Sequence, residues 1–287
     1  MAILSCCLHT WVFSQHPAYT INNYGDTLLL GIQTFKQLQQ PPFNDWFLPA
    51  TVNARFSTKI TTSLHKKIEG IHFEIFMGTW CSDSRREVPK LYALLNHLHI
   101  PDSAITVVCV DNEDSTYKQS PGHEEAGKYI FRVPTLRLLK EGNEVGRIIE
   151  YPKKSWETDI LTILSGKKYM PNYFGGLSWM QFIDSVDAEL IIKDSTTLAK
   201  YWIKHIESKA ELNSAGYIYE STGIINKAFA SYLINRLIFP ADSRVLNNLG
   251  RVYNLRGQKS EAKACFEEAL KIEPTLISAA QALKQLQ

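Results

Sequence analysis

The sequence predicts two units of different class in one chain: an α/β layer unit over residues 58–168, then an all-helical unit that runs to the last residue. Three observations carry this. Apolar runs of strand length alternate with segments of helical period up to about residue 164. From Trp179 onward every periodic segment has helical spacing, and none reads as a strand. Inside that stretch a pattern of glycine, aromatic, alanine and proline recurs after 34 residues. A length of 287 residues suits about two domains at the usual ~100–200 residues each.

The first 25 residues hold no Lys, Arg, Asp or Glu. A short apolar stretch, with Val12 and Ser14 ahead of a possible cut at Gln15, reads as a secretory signal over residues 1–14. No basic residue precedes it, the first lysine being Lys36, so a buried terminal element is the competing reading. Removal of the segment would place the protein in the periplasm or cell envelope; otherwise it is cytoplasmic. Residues 15–57 form an N-terminal extension packed on the α/β unit. Its segment 27–39 is amphipathic, with breakers at Pro41-Pro42 and at Pro49.

The α/β unit opens on a helical segment, 58–69, stopped by Gly70. A buried strand comes next over 72–77 and gives way to Gly78-Thr79-Trp80-Cys81. Residues 83–98 are helical, with Val88, Leu91, Tyr92, Leu95 and Leu98 at spacings of three and four. The β-branched run 105–110 is a second buried strand. A short helix is expected next, and then segments 136–139 and 145–150 flank a Gly142-Asn143 turn as a hairpin. A helix over 155–164 closes the unit.

Residues 169–208 are a helical connector, and residues 209–287 carry the repeat. Gly216, Tyr219, Gly223, Ala228, Tyr232 and Pro240 are matched by Gly250, Tyr253, Gly257, Ala262, Phe266 and Pro274. Small residues let paired helices approach, aromatics fill the gap, and proline stops the second helix. Leu249-Gly250, Tyr253, Ala262, Phe266, Ala269 and Pro274 resemble the tetratricopeptide repeat. The earlier copy is degenerate, with Ala215 in place of leucine and Asn235 in place of alanine. Residues 277–286 are expected to cap the array.

Composition narrows the function. Thirty-one basic against 29 acidic residues leave a formal charge of +2, which gives no field for nucleic acid. No apolar run approaches the ~20 residues of a membrane span. Five cysteines, Cys6, Cys7, Cys81, Cys109 and Cys265, are too few and too scattered for a disulfide scaffold or a four-cysteine zinc site. His97 and His99 lack a complementary ligand set, so no metal is expected. Neither a phosphate loop nor a nucleophile elbow is present, and no cofactor is implied. Cys81 stands apart because a strand gives way to a helix there. Unpaired amides and the helix dipole at such a place favour a thiolate. Arg85 and Arg86 are expected to add to this and Asp83 to oppose it. Cys109 and Cys265 read as core fillers.

Further residues extend the pattern. Trp80-Cys81, then Pro89 eight positions on, then Val133-Pro134-Thr135 before the Gly142 hairpin together resemble the thioredoxin superfamily over about residues 58–166. The resemblance implies a central mixed sheet flanked by helices. It also implies a reactive Cys81 flanked by Trp80, a cis Pro134 facing it, and a Val133 backbone that pairs with an extended peptide substrate. The chain departs from the family's pattern at two positions. Ser84 stands where dithiol members carry the resolving cysteine, and Ile75 where many bury a carboxylate. A thiolate at Cys81 would therefore form mixed disulfides that need an external thiol for release, with Ser84 either a hydrogen-bond donor to the thiolate or merely a helix-start residue. The expected partners are a thiol- or disulfide-bearing protein or small thiol at Cys81 and a peptide on the repeats. A catalytically silent peptide-binding module, or a scaffold for interactions through the repeats, is the alternative.

Overall fold

A computed structural model describes residues 19–23 and 25–286. The signal segment expected at residues 1–14, with Cys6 and Cys7, lies outside the described residues.

The described part opens with an antiparallel pair, Tyr19–Ile21 (β1) and Thr27–Leu29 (β2). Gly31–Gln33 (β3) then joins a five-stranded sheet as its edge. Short helices Phe35–Leu38 (α1) and Asn44–Val52 (α2) come after it. The amphipathic stretch 27–39 is thus two strands and one helical turn. Pro49 is no breaker: it lies inside α2. An internal proline costs a helix about 3 kcal/mol. Aromatic packing holds this one, since Phe47 is fully buried and its ring lies 5.3 Å from that of Tyr92.

Helix Thr58–His65 (α3) leads into strand Ile71–Met77 (β4), helix Ser82–His97 (α4) and strand Ile105–Cys109 (β5). The hairpin Thr135–Lys140 (β6) and Asn143–Ile149 (β7) and the helix Trp156–Leu164 (α5) complete the unit. Strand order is β3-β5-β4-β6-β7, with β4 parallel to β5 and all other neighbours antiparallel. β4 is central and buried, which explains its unbroken apolar run. α4 is continuous through Pro89, and its Val88, Leu91, Leu94 and Leu95 enter the core with Phe73 and Ile75 of β4. Between β5 and β6 the expected short helix is only a 3-10 turn at Asp114–Thr116 in a long irregular crossing. Ile130 and Val133 of that crossing pack against Phe76 and Val108 of the sheet.

The remainder of the described chain is helical. Phe174–Ser185 (α6), Ala188–Lys193 (α7) and Ser195–Trp202 (α8) lead to two helix pairs. These are Lys209–Ser221 (α9) with Ile225–Ile238 (α10), and Ser243–Leu255 (α11) with Lys259–Ile272 (α12). Ile277–Gln285 (α13) covers the last pair. The repeated glycines mark where each pair touches. A Cβ on Gly216 would stand 2.6 Å from the Tyr232 ring, and one on Gly250 would stand 2.8 Å from the Phe266 ring. Gly250→Ala is therefore expected to destabilise the protein by up to about 2 kcal/mol in a urea titration. The steric cost of ~1–3 kcal/mol outweighs the ~1 kcal/mol gain in helix propensity. An unchanged or raised midpoint would mean that α11 and α12 do not meet there.

The two units share a core. Phe131 and Ile149 of the α/β unit are buried with Leu177, Trp179, Leu212 and Tyr219 of the helical one. Two pairs of helices are too few to stand alone, and this docking supplies the missing partner surface. At the junction the Glu211 carboxylate accepts from the amides of Gly176 (2.7 Å), Glu207 (2.8 Å) and Ser208 (3.0 Å). Arg132 Nη2 donates to the Ala210 carbonyl at 3.0 Å.

Candidate functional site

Cys81 occupies the N-cap of α4 because β4 ends at Met77 and the chain turns tightly, with the Cys81 amide donating to the Gly78 carbonyl at 3.0 Å. The first helical bond runs from the Arg85 amide to the Cys81 carbonyl at 2.9 Å. The amides of Ser82, Asp83 and Ser84 have no acceptor among the described residues. Such orphan donors carry the positive end of the helix dipole toward the thiol. Half-buried, Cys81 packs with Trp80 on an apolar patch of Phe76, Val108, Val110, Ile130 and Val133.

The loop before β6 closes the other side. The Cys81 thiol donates to the Val133 carbonyl across 3.3 Å, and the Val133–Pro134 peptide is cis. Thr135 Oγ1 donates to the Arg132 carbonyl at 2.7 Å, and the Glu150 amide donates to the Pro134 carbonyl at 2.7 Å. These two bonds fix the loop on both sides of the proline. The Val133 amide has no partner among the described residues. Trp80 Nε1 donates to the Val110 carbonyl at 2.9 Å, which holds the indole beside the cysteine. The start of α4 and the loop before β6, 52 positions apart, thus meet at one sulfur.

Three side chains that follow Cys81 in sequence have partners of their own. Ser84 is fully buried and its hydroxyl accepts from the Gly78 amide at 3.2 Å, so it ties the end of β4 to α4. Arg85 donates to the Thr79 carbonyl at 2.5 Å, and Arg86 pairs with Asp83 at 2.7 Å and Glu87 at 2.8 Å. Each finds a partner within its own turn or loop. The irregular crossing brings two further cations to this region, Lys118, whose ammonium interacts with the Cys81 charge, and Arg132, which directly precedes Val133. Lys118 is buried, donates to the Phe131 carbonyl at 2.7 Å and lies 4.6 Å from the Tyr117 ring centre. Burial, then the Arg132 charge, push its ammonium down to about 7, while the Cys81 and Glu150 charges pull upward. Arg132 pairs with Glu150 at 2.9 Å and covers the Tyr173 ring at 4.5 Å. Sequence reasoning missed both cations. Arg132 adjoins Val133-Pro134, which was a usable signal; nothing local marks Lys118 as buried.

The other thiols are held apart from this chemistry. Cys109 is fully buried in β5, and burial pushes it up to about 12. Cys265, half-buried on α12, is pushed up by burial to about 11. Ile75 is fully buried; its neighbour Glu74 points to the opposite face of β4, as strand alternation requires, and there pairs with Lys128 at 2.6 Å and with Arg137. No group of three or more His, Cys, Asp or Glu side chains gathers to hold a metal among the described residues. No helix among them is long and apolar enough to cross a membrane.

The second helix pair has its Gly250–Phe266 contact, its buried Leu249, Ala262 and Ala269, and Pro274 after its end. Residues 243–276 match the tetratricopeptide repeat. Such a repeat suggests interaction with other proteins. Its first helix, α11, reaches toward the α/β unit through α9: Arg251 lies over the Tyr217 ring at 5.2 Å, and the Tyr217 ring lies 4.6 Å from that of Tyr117. Tyr117 in turn lies 5.8 Å from Trp80. The chain matches no curated protein.

Proposed function

We propose that the α/β unit is thioredoxin-like and that the protein exchanges thiols and disulfides through Cys81 alone. The reading rests on one observation above all: Cys81 caps α4 with its sulfur 3.3 Å from the Val133 carbonyl, in the loop held by Pro134. The strand order around a central β4, with the hairpin at one edge, supports the fold assignment. In the reaction the Cys81 thiolate attacks one sulfur of a partner disulfide. A new sulfur–sulfur bond forms as the old one breaks, and the displaced sulfur leaves with the electron pair as a thiolate. Release needs an external thiol, whose thiolate attacks the partner sulfur and returns Cys81 with its electron pair. Trp80, Val133, Pro134 and Thr135 shape the surface that receives the partner, and the unpartnered Val133 amide offers it a backbone donor.

Incubating the whole chain with a small aromatic disulfide and mapping adducts by mass spectrometry tests this. The expected adduct is on Cys81, with Cys265 modified far more slowly and Cys109 not at all. Modification of Cys265 first, or of none of the three, overturns exchange through Cys81. An inert Cys81 would instead favour the silent peptide-binding module.

A further inference from the structure

The exchange chemistry makes no use of a cavity that adjoins it. About 330 Å³ in volume, it lies between the Arg132 loop and the inner faces of α9 and α11. Four of its lining side chains are basic, Arg132, Lys209, Arg244 and Arg251, and none is acidic. The carboxylates that pair with three of them, Glu150, Asp242 and Glu220, stand outside the lining. Arg244 is exposed and forms no ion pair among the described residues. Two amides join them. Asn213 Oδ1 already accepts from Asn235 at 2.8 Å, which leaves its NH₂ group to donate, and Asn248 adds a second amide. The Nε of Arg132 is buried without a partner. The wall therefore presents N–H donors and the unpaired Arg244 charge with no carboxylate in its lining, which is the chemistry that holds a carboxylate.

Tyr117 and Tyr217 line the same cavity and connect it to Trp80 through ring contacts of 5.8 and 4.6 Å. That path equals the reach of about three extended residues. On the other side Arg132 immediately precedes Val133, whose carbonyl touches the Cys81 sulfur and whose amide has no partner among the described residues.

We propose that the partner of Cys81 is an acidic peptide segment, whose cysteine meets Cys81 while a carboxylate a few residues away enters the cavity between Arg132, Arg244 and Arg251. This rests on the exchange reading of Cys81 and adds the class of substrate. It also gives the tetratricopeptide repeat a task in the same event, since α11 supplies two of the four cations. Attraction of this kind weakens as salt rises.

The test uses the whole chain carrying Cys81→Ser, so that binding is measured without chemistry. Fluorescence anisotropy compares short labelled peptides with serine in place of the reacting cysteine. One has two glutamates and an amidated end, one has lysines in their place, and one has glutamines with a free terminal carboxylate. The glutamate peptide is expected to bind at least about tenfold more tightly than the lysine peptide, the difference one or two charged hydrogen bonds make. Arg244→Glu, on an exposed position, and the nearly isosteric Asn248→Asp should each remove that preference. Tight binding by the free-ended glutamine peptide identifies a chain-terminal carboxylate as the group recognised, rather than a side chain. Equal affinity for glutamate and lysine peptides, no binding of any of the three, or a preference that survives both substitutions overturns the proposal. Activated disulfides of the cysteine-containing peptides, given to the unaltered chain, separate the two readings. Mixed disulfides formed at equal rates with glutamate and lysine peptides retain exchange and defeat the acidic partner. A glutamate preference in binding without any mixed disulfide retains the cavity and defeats exchange.

Discussion

A Ser84→Cys variant is expected to release the mixed disulfide at Cys81 without added thiol. Among the described residues, once Cys81 has joined a partner, no second thiol stands within reach: Cys109 is buried in β5 and Cys265 lies on α12. Release then depends on the concentration of an external thiol. Residue 84 is on the first turn of α4, three positions beyond the cap. Residues so spaced have Cα atoms about 5 Å apart, within the ~4.4–6.8 Å that a disulfide spans. A thiol there would attack the Cys81 sulfur, form the 81–84 disulfide, and expel the partner as a thiolate. An intramolecular thiol acts at an effective concentration of millimolar or more. With external thiol on the order of 10 µM, the mixed disulfide should live about 100-fold less long, and its lifetime should no longer depend on added thiol. Mass spectrometry of the quenched adduct over time gives both numbers. The substitution is tolerable because Oγ of Ser84 only accepts one bond, from the Gly78 amide, which sulfur accepts more weakly. A lifetime in Ser84→Cys equal to that of the unaltered chain would place residue 84 out of line with Cys81 and remove the physical basis of the single-thiol reading.

What the sequence displays and what it hides divide along the range of the interactions. β4, α4, β5 and the β6–β7 hairpin are legible because each has its own period: a run of buried apolar residues, a stripe at three and four, or a Gly-Asn turn. The repeat is legible for the same reason, since Gly250 and Phe266 touch within one helix pair. β3 is not. Three residues, Gly31–Gln33, carry no pattern, and they become a strand only by pairing with Val107–Cys109, more than seventy positions away. Pro49 is misleading in isolation because the aromatic packing that keeps α2 helical comes from Tyr92 and Phe35. The site divides likewise. Cys81, Trp80 and Pro134 are marked by their neighbours in sequence. Arg85 and Arg86, adjacent in sequence, turn to local acceptors, and the two further cations of this region arrive from a crossing that has no regular structure to read. The cavity needs even more: its walls come from three elements that no single stretch of sequence connects.

Lys118→Met should flatten a pH dependence that the unaltered chain shows between about pH 7 and 9. Lys118 is 5% exposed, and its ammonium is pushed down to about 7 first by burial and then by the Arg132 charge. Below pH 7 the residue is charged in both folded and unfolded chains, and the folded state bears the whole cost of burying that charge. As pH rises through 7 the folded chain gives up the proton, while the unfolded chain keeps it until about 10.5. The unfolded state then binds more protons, so unfolding free energy increases with pH, and the contribution is lost again as pH falls through 7. Across two pH units the difference between the unaltered chain and Lys118→Met should grow by about 2–3 kcal/mol in favour of the unaltered chain. Taking the difference removes the opposing trend from Cys109, whose raised thiol lowers stability above pH 9 in both proteins. Urea titrations of the two at pH 7, 8 and 9 measure it. A constant difference would mean that Lys118 keeps its proton throughout, with the nearby sulfur charge and Glu150 holding it against burial. In that case the same residue should prove the stronger stabiliser of the thiolate. The slope therefore decides which charge state of Lys118 faces Cys81 at neutral pH, and whether exchange at that sulfur should lose a helping cation as the solution becomes alkaline.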